Sequence, residues 1–198
     1  MKPLSLIFFT TLVCLSSCFI TERGDNSVKT LDFKYFTIEV PESWQQVKAR
    51  GIDSYVGEIH IDTGTIIRFD LGWYTDPMNE DEDQDRYSVH DGSIYLTDSS
   101  STPQHRVSMY FAEANTENLE KVRHNKIKWV TIDNHKAKLI IPKRPGIGTT
   151  GVFIDRLWRS GSNNDRFGLR GDRLTGEQQR QLLKAIMTLR FCEHPSER

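Results

Sequence analysis

Six histidines and a large stock of carboxylates are the raw material for acid–base or metal chemistry in this chain, and their spacing decides what they can do. The histidines stand at His60, His90, His105, His124, His135 and His194. None lies three or four residues from another, and no thiolate completes a zinc spacing with them. No Gly-x-Ser-x-Gly turn is present to raise a serine nucleophile. Gly146-Ile147-Gly148 lacks both the third glycine and the Lys-Ser or Lys-Thr of a phosphate-binding loop. A triad such as His60 or His105 with Asp70 would have to be assembled by folding alone. The acidic run Asn79-Glu80-Asp81-Glu82-Asp83-Gln84-Asp85 starts with the alternate oxygen spacing of a calcium loop. It then has Gln84 where glycine is needed and His90 where a closing glutamate is needed, so it reads as a solvated, self-repelling loop. The remaining chemical feature is aromatic. Trp73 and Tyr74 follow Gly72 and stand just before that acidic run, and aromatic area beside an adaptable polar loop is common in recognition surfaces. Such a pair can either cap the core, the reading favoured for Trp73 itself, or line a groove, and the region of Trp73 and Tyr74 is the expected binding surface. No residue is assigned to catalysis, to a cofactor or to a metal.

Cys18 carries the most specific motif. Lys2 precedes an apolar run from Leu4 to Leu15, and the small residues Ser16 and Ser17 follow. That is the layout of a secretory signal peptide, short for a membrane-spanning helix, although an anchor running on to Ile20 is the alternative. Leu15-Ser16-Ser17-Cys18 resembles a bacterial lipobox, in which small side chains fit a peptidase groove and the thiol takes a lipid. The resemblance implies a lipidated Cys18 as the first mature residue, palmitate or a similar acyl chain on it, and a place in the cell envelope. The protein would be membrane-anchored and face the periplasm or the cell exterior. Several chains on one residue anchor firmly, since each buried methylene contributes about 0.8 kcal/mol.

The organisation expected is residues 1–18 as signal, 19–30 as a flexible polar tether, 31–192 as a single domain and 193–198 as a polar tail. The chain has 198 residues, enough for one substantial core. Its 26 Lys plus Arg face 27 Asp plus Glu, a balance that leaves no electrostatic footprint for nucleic acid. With Cys18 lipidated and Cys14 in the signal, Cys192 is the only other thiol, so no internal disulfide framework is available.

Periodicity then supplies the elements. Tyr35–Val40, Ile52–Ile61, Thr65–Leu71, Ser93–Thr97, Arg106–Phe111, Ile127–Ile132, Ala137–Ile141, Val152–Trp158 and Arg166–Arg170 read as strands. Within Arg106–Phe111, Val107, Met109 and Phe111 should share one apolar face. Trp44 should plug the core after Pro41 ends its strand. Asn115 to His124 reads as a short helix with Leu119 and Val122 inward. Lys126, Lys128, Lys136 and Lys138 form a basic face around the Asp133-Asn134 turn, expected in solvent. Thr175 and Gln178 have capping-box spacing, and Leu182, Leu183, Ile186 and Met187 make one helical stripe over Glu177–Thr188. Gln179 falls off that stripe and should face water.

Phe36-Thr37-Ile38-Glu39-Val40-Pro41 with Trp44, and the closing segment Phe167–Phe191 with Leu174-Thr175-Gly176-Glu177-Gln178-Gln179, resemble the two ends of PsbP/Mog1-like superfamily domains. The resemblance implies an α+β fold with a central antiparallel sheet and packed helices, and the alternating segments themselves put about five to seven strands in a mostly antiparallel sheet. That superfamily holds photosystem accessory proteins, a regulator of a small GTPase and bacterial lipoproteins without assigned activity, and it has no shared catalytic motif. Two function classes fit: a lipid-anchored, non-catalytic binding or structural domain, whose partner could be an envelope protein, or a small extracytoplasmic hydrolase.

Overall fold

The computed structural model describes residues 27–51, 53–78, 87–97, 107–160 and 163–192. Cys18 and the acidic run 79–85 lie outside them, as do His105 and His194. The first described elements form a hairpin, β1 (Val28–Phe33) against β2 (Phe36–Pro41), turned by Lys34 and Tyr35. Val28 already faces Pro41, so residues 28–30 of the segment expected to be tether are strand. β3 (Gln45–Lys48), β4 (Tyr55–His60) and β5 (Ile66–Gly72) follow, the last two joined across Asp62-Thr63-Gly64. Asp62 Oδ1 accepts from the amides of Gly64 and Thr65 and closes that turn. A small sheet of β6 (Tyr87–His90), β7 (Ser93–Thr97) and β8 (Ser108–Glu113) comes next, followed by α1 (Thr116–Val122). The hairpin β9 (Asn125–Ile132) and β10 (His135–Pro142) turns at Asp133 and Asn134, both at positive φ. β11 (Thr149–Ser160) and β12 (Asn163–Asp172) form the closing hairpin, followed by α2 (Gly176–Ile186) and the short β13 (Arg190–Phe191).

Seven of these strands make an antiparallel sheet in the order β3-β4-β5-β12-β11-β10-β9. The three-stranded sheet β1-β2-β13 and helix α2 share one core with a single face of it. The fold is thus α+β with a central mostly antiparallel sheet. Phe33, Phe36, Phe69 and Phe167 meet at that core with ring centroids 4.7–5.0 Å apart, mostly edge to face. Trp44 is buried with them, as its plug role required. The capping box at Thr175 is complete: Thr175 Oγ1 accepts from Gln178 N, and Thr175 N donates to Gln178 Oε1. α1 is capped by Asn115 and packs Val122 and Leu119 onto Tyr87 and Ile94 of the small sheet.

Three expectations need correction. The stripe of α2 runs through Gln179, Leu182, Ala185 and Ile186, whereas Met187 is the exposed C-cap and Leu183 only partly buried. Gln179 is buried at 7% exposure because its amide Nε2 donates to Pro142 O of β10 at 3.2 Å, a partner that helical periodicity cannot reveal. The basic face is split by the β9–β10 register. Lys126 and Lys128 lie opposite Ile141 and Leu139, while Lys138 lies opposite Trp129 on the other face. Lys138 is buried, its Nζ donating to Pro77 O at 2.5 Å and lying 5.3 Å from the Phe153 ring centre. Finally, Val107, Met109 and Phe111 are all exposed, because they belong to or adjoin β8, the edge of a sheet whose small core is filled by Tyr87 and Ile94.

Candidate functional site

Trp73 and Tyr74 owe their position to Thr75. The Thr75 hydroxyl donates to Gly72 O at 3.0 Å, and the Thr75 amide reaches the same carbonyl at 3.5 Å. The hydroxyl also approaches Arg166 O at 3.4 Å, and Thr75 itself is buried. This folds the chain back immediately after β5 and leaves residues 73 and 74 as the projecting tip. Gly72 suits a close approach, since a Cβ there would lie 3.0 Å from Ser54 Oγ and 3.2 Å from Ser54 Cβ. Arg166 Nη1 donates to Trp73 O at 3.5 Å while its Nε pairs with Asp155 Oδ1 at 3.1 Å. Trp73 and Tyr74 are 46% and 69% exposed, their ring centres 4.8 Å apart. Trp73 is therefore not a core residue.

The tip does not stand alone. The start of β4, the end of β5, the end of β11 and the start of β12 all lie at this end of the sheet, since Tyr55 pairs with Leu71 and Trp158 with Asp165. The β1–β2 turn adds Tyr35. Together these segments enclose an open hollow of about 530 Å³ lined by Tyr35, Tyr55, Trp73, Tyr74 and Trp158, with Asp53, Ser54 and Asp165 as its polar groups. Tyr35 meets Tyr55 edge to face at 5.0 Å and Trp158 at 5.9 Å.

Core rings hold this wall from behind. Phe191 packs edge-on to Trp158 and Phe69 packs on Tyr55. The amide of Cys192 donates to Tyr35 O at 2.9 Å, and the Phe191 amide donates to Asp133 Oδ2 at 2.7 Å. Cys192 thus has a structural place at the end of β13. A site whose walls rest on packed aromatic rings is largely pre-formed, which lowers the ordering cost of binding. The Lys34 ammonium already sits 4.8 Å over the Tyr35 ring, so that face attracts positive charge.

On the other side of the segment 73–78 lies a second, narrower hollow of about 280 Å³ on the outer face of the central sheet. Gly168 forms its floor where a Cβ would press on Thr75 Cγ2 at 3.0 Å, so the absence of a side chain lets the segment lie flat on the sheet. Asp76 fixes it, accepting from Met78 N and pairing with Arg170 at 2.9 Å. Glu58 and Arg68 form another pair along the wall, and Asp70 sits between Val56 and Gly168. Hydrogen bonding from His60 holds the Glu58 carboxyl below its ordinary range, with Arg68 acting in the same direction.

Of the residues named from sequence, Trp73 and Tyr74 are brought into one site with three rings that sequence reasoning missed. Tyr35, Tyr55 and Trp158 are far apart along the chain, and only their shared positions at strand ends and turns could have marked them. His60 is engaged with Glu58, two residues along the strand from Val56, the cross-strand neighbour of Asp70. Among the described residues, no group of three or more His, Cys, Asp or Glu side chains is arranged to hold a metal ion. No helix of the described residues is long and apolar enough to cross a membrane. No protein-family model, curated protein or solved structure matches this chain.

Proposed function

We propose that this chain is a lipid-anchored binding domain of the cell envelope, held through Cys18, whose aromatic hollow takes a glycan. One observation carries the reading: five aromatic rings from separate segments surround a single open hollow with carboxylates and a hydroxyl among them. The C–H faces of sugar rings stack on such side chains, while their hydroxyls donate to carboxylates such as Asp53 and Asp165. An anchor and a projecting aromatic site suit a protein that holds a surface polymer close to a membrane. The PsbP/Mog1-like resemblance is compatible with this, because the strand ending at Pro41, Trp44 and the capped closing helix are its motifs and that superfamily includes lipoproteins. The location is the envelope, facing the periplasm or the cell exterior.

The experiment is a pull-down of the full chain, in neutral detergent, on insoluble peptidoglycan, with Trp73→Ala and a Tyr35→Ala/Tyr55→Ala double variant in parallel. Retention of the wild type with loss in both variants supports the reading. Equal retention of all three contradicts it. Release of soluble sugar during incubation, abolished by Asp53→Asn or Asp165→Asn, would replace the binding domain with a hydrolase.

A further inference from the structure

The end of α1 and the loop between β10 and β11 bring five basic side chains together. Lys121, Arg123, His124, Lys143 and Arg144 line a hollow of about 400 Å³, with Ile147 as the remaining lining residue. No carboxylate belongs to that lining among the described residues. The chain as a whole has a formal charge of −1, so this concentration is local and does not follow from composition.

Part of the cluster has a helix-capping explanation. Cations favour the C-terminal end of a helix, and Lys143 Nζ donates to Glu120 O there. Lys121 is held by Glu117 at 2.8 Å and Asn118 at 3.2 Å. That account does not cover the two guanidinium groups. Arg123 Nε is buried with no hydrogen-bond partner among the described residues, a costly state for a charged donor. Arg144 stands exposed on the loop.

The loop itself is fixed. Lys143 N donates to His124 O at 2.9 Å, Gly146 N to Leu174 O at 2.7 Å and Arg173 N to Gly148 O at 2.8 Å. Gly146 and Gly148 have φ of 82° and 79°, values that side-chain-bearing residues avoid. The basic groups are thus carried on backbone set in place by bonds to the β9 approach and the β12–α2 connection.

We infer that this hollow is an anion site that takes a phosphate group, carried by a phosphorylated solute or a lipid headgroup. A phosphate has enough acceptor oxygens to be shared between α1 and the loop. The planar guanidinium fork matches it bidentately, and the lysines add point charge. This inference is independent of the glycan reading.

The test is calorimetric titration of the full chain in neutral detergent with inorganic phosphate at low ionic strength. The expected result is saturable one-site binding that Arg144→Gln weakens about tenfold. Arg156→Gln, outside the lining, should leave it unchanged, and added chloride should weaken it. Melting curves check folding, and Arg144→Lys should restore part of the affinity. A second arm separates the sources by hydrogen exchange of residues 143–148 in vesicles of phosphatidylcholine with or without phosphatidylglycerol. Slower exchange on the anionic vesicles, lost in Arg144→Gln, assigns a headgroup. Equal exchange with retained phosphate binding assigns a soluble phosphate compound. The inference is overturned if phosphate does not bind saturably and exchange is equal on both vesicles. Equal weakening by Arg144→Gln and Arg156→Gln overturns it too.

Discussion

Truncating Gln179 to alanine should destabilise the domain, against every expectation from its polarity. The side chain is buried, and its amide is the donor that satisfies the Pro142 carbonyl across the α2–β10 junction. Removing it forfeits a hydrogen bond and leaves that carbonyl buried without its donor, a loss of about 1–3 kcal/mol. The better helix propensity of alanine offsets only about 0.4 kcal/mol of this. In a chain of this size the net change corresponds to a fall in Tm of roughly 1–10 °C. Gln179→Leu restores volume but no donor, so it should recover less than half of the loss. The assay is urea unfolding of the full chain followed by far-UV circular dichroism, with Leu182→Ala as a core reference expected to cost about 2–5 kcal/mol. A Gln179→Ala variant within about 0.5 kcal/mol of wild type would refute the reasoning and return Gln179 to the solvent face.

Other outcomes follow from the structure and, for Cys18, from the sequence motif alone. Gly57→Ala would set a Cβ 2.4 Å from the Phe69 ring, and should cost about 1–3 kcal/mol in the same unfolding assay. Glu58 has a folded pKa below its ordinary 4.5, so its stabilising contribution is present above that value and is lost as pH falls through the lower folded value. Glu58→Gln should therefore flatten the acid limb of a pH–stability profile below about pH 4.5, and an unchanged limb would contradict the pairing with His60 and Arg68. Cys18→Ser should move the protein from the membrane to the soluble fraction and abolish incorporation of labelled fatty acid; unchanged partitioning would remove the anchor from the account.

Much of the scaffold was legible because period-two and period-3.6 patterns record which face meets the core. Phe167 and Leu169 against Arg166 and Arg170, and the Thr175–Gln178 cap, are set by local sequence and appear as expected. β3 was not legible: all four of its residues are exposed, so no apolar alternation marks it. Lys138 illustrates a different limit. Its burial depends on the Pro77 carbonyl, 61 residues away, and on the Phe153 ring. The aromatic hollow combines both cases. Trp73 and Tyr74 announced themselves as paired rings after a glycine, but Tyr35 looked like part of an alternating strand and Trp158 like the end of one. Their convergence is a property of strand register, including the irregularity between Ile154 and Trp158, which no single segment encodes.

Intrinsic tryptophan fluorescence reads the central claim most directly, because Trp73 and Trp158 both line the hollow. The full chain in neutral detergent is titrated with soluble peptidoglycan fragments, alongside Trp73→Phe and Trp158→Phe. A saturable change in the wild type, reduced in each variant, with melting temperature little altered in Trp73→Phe, is the result predicted for a glycan seated among these rings. A titration without any saturable change, or one whose signal survives intact in both variants, would contradict it.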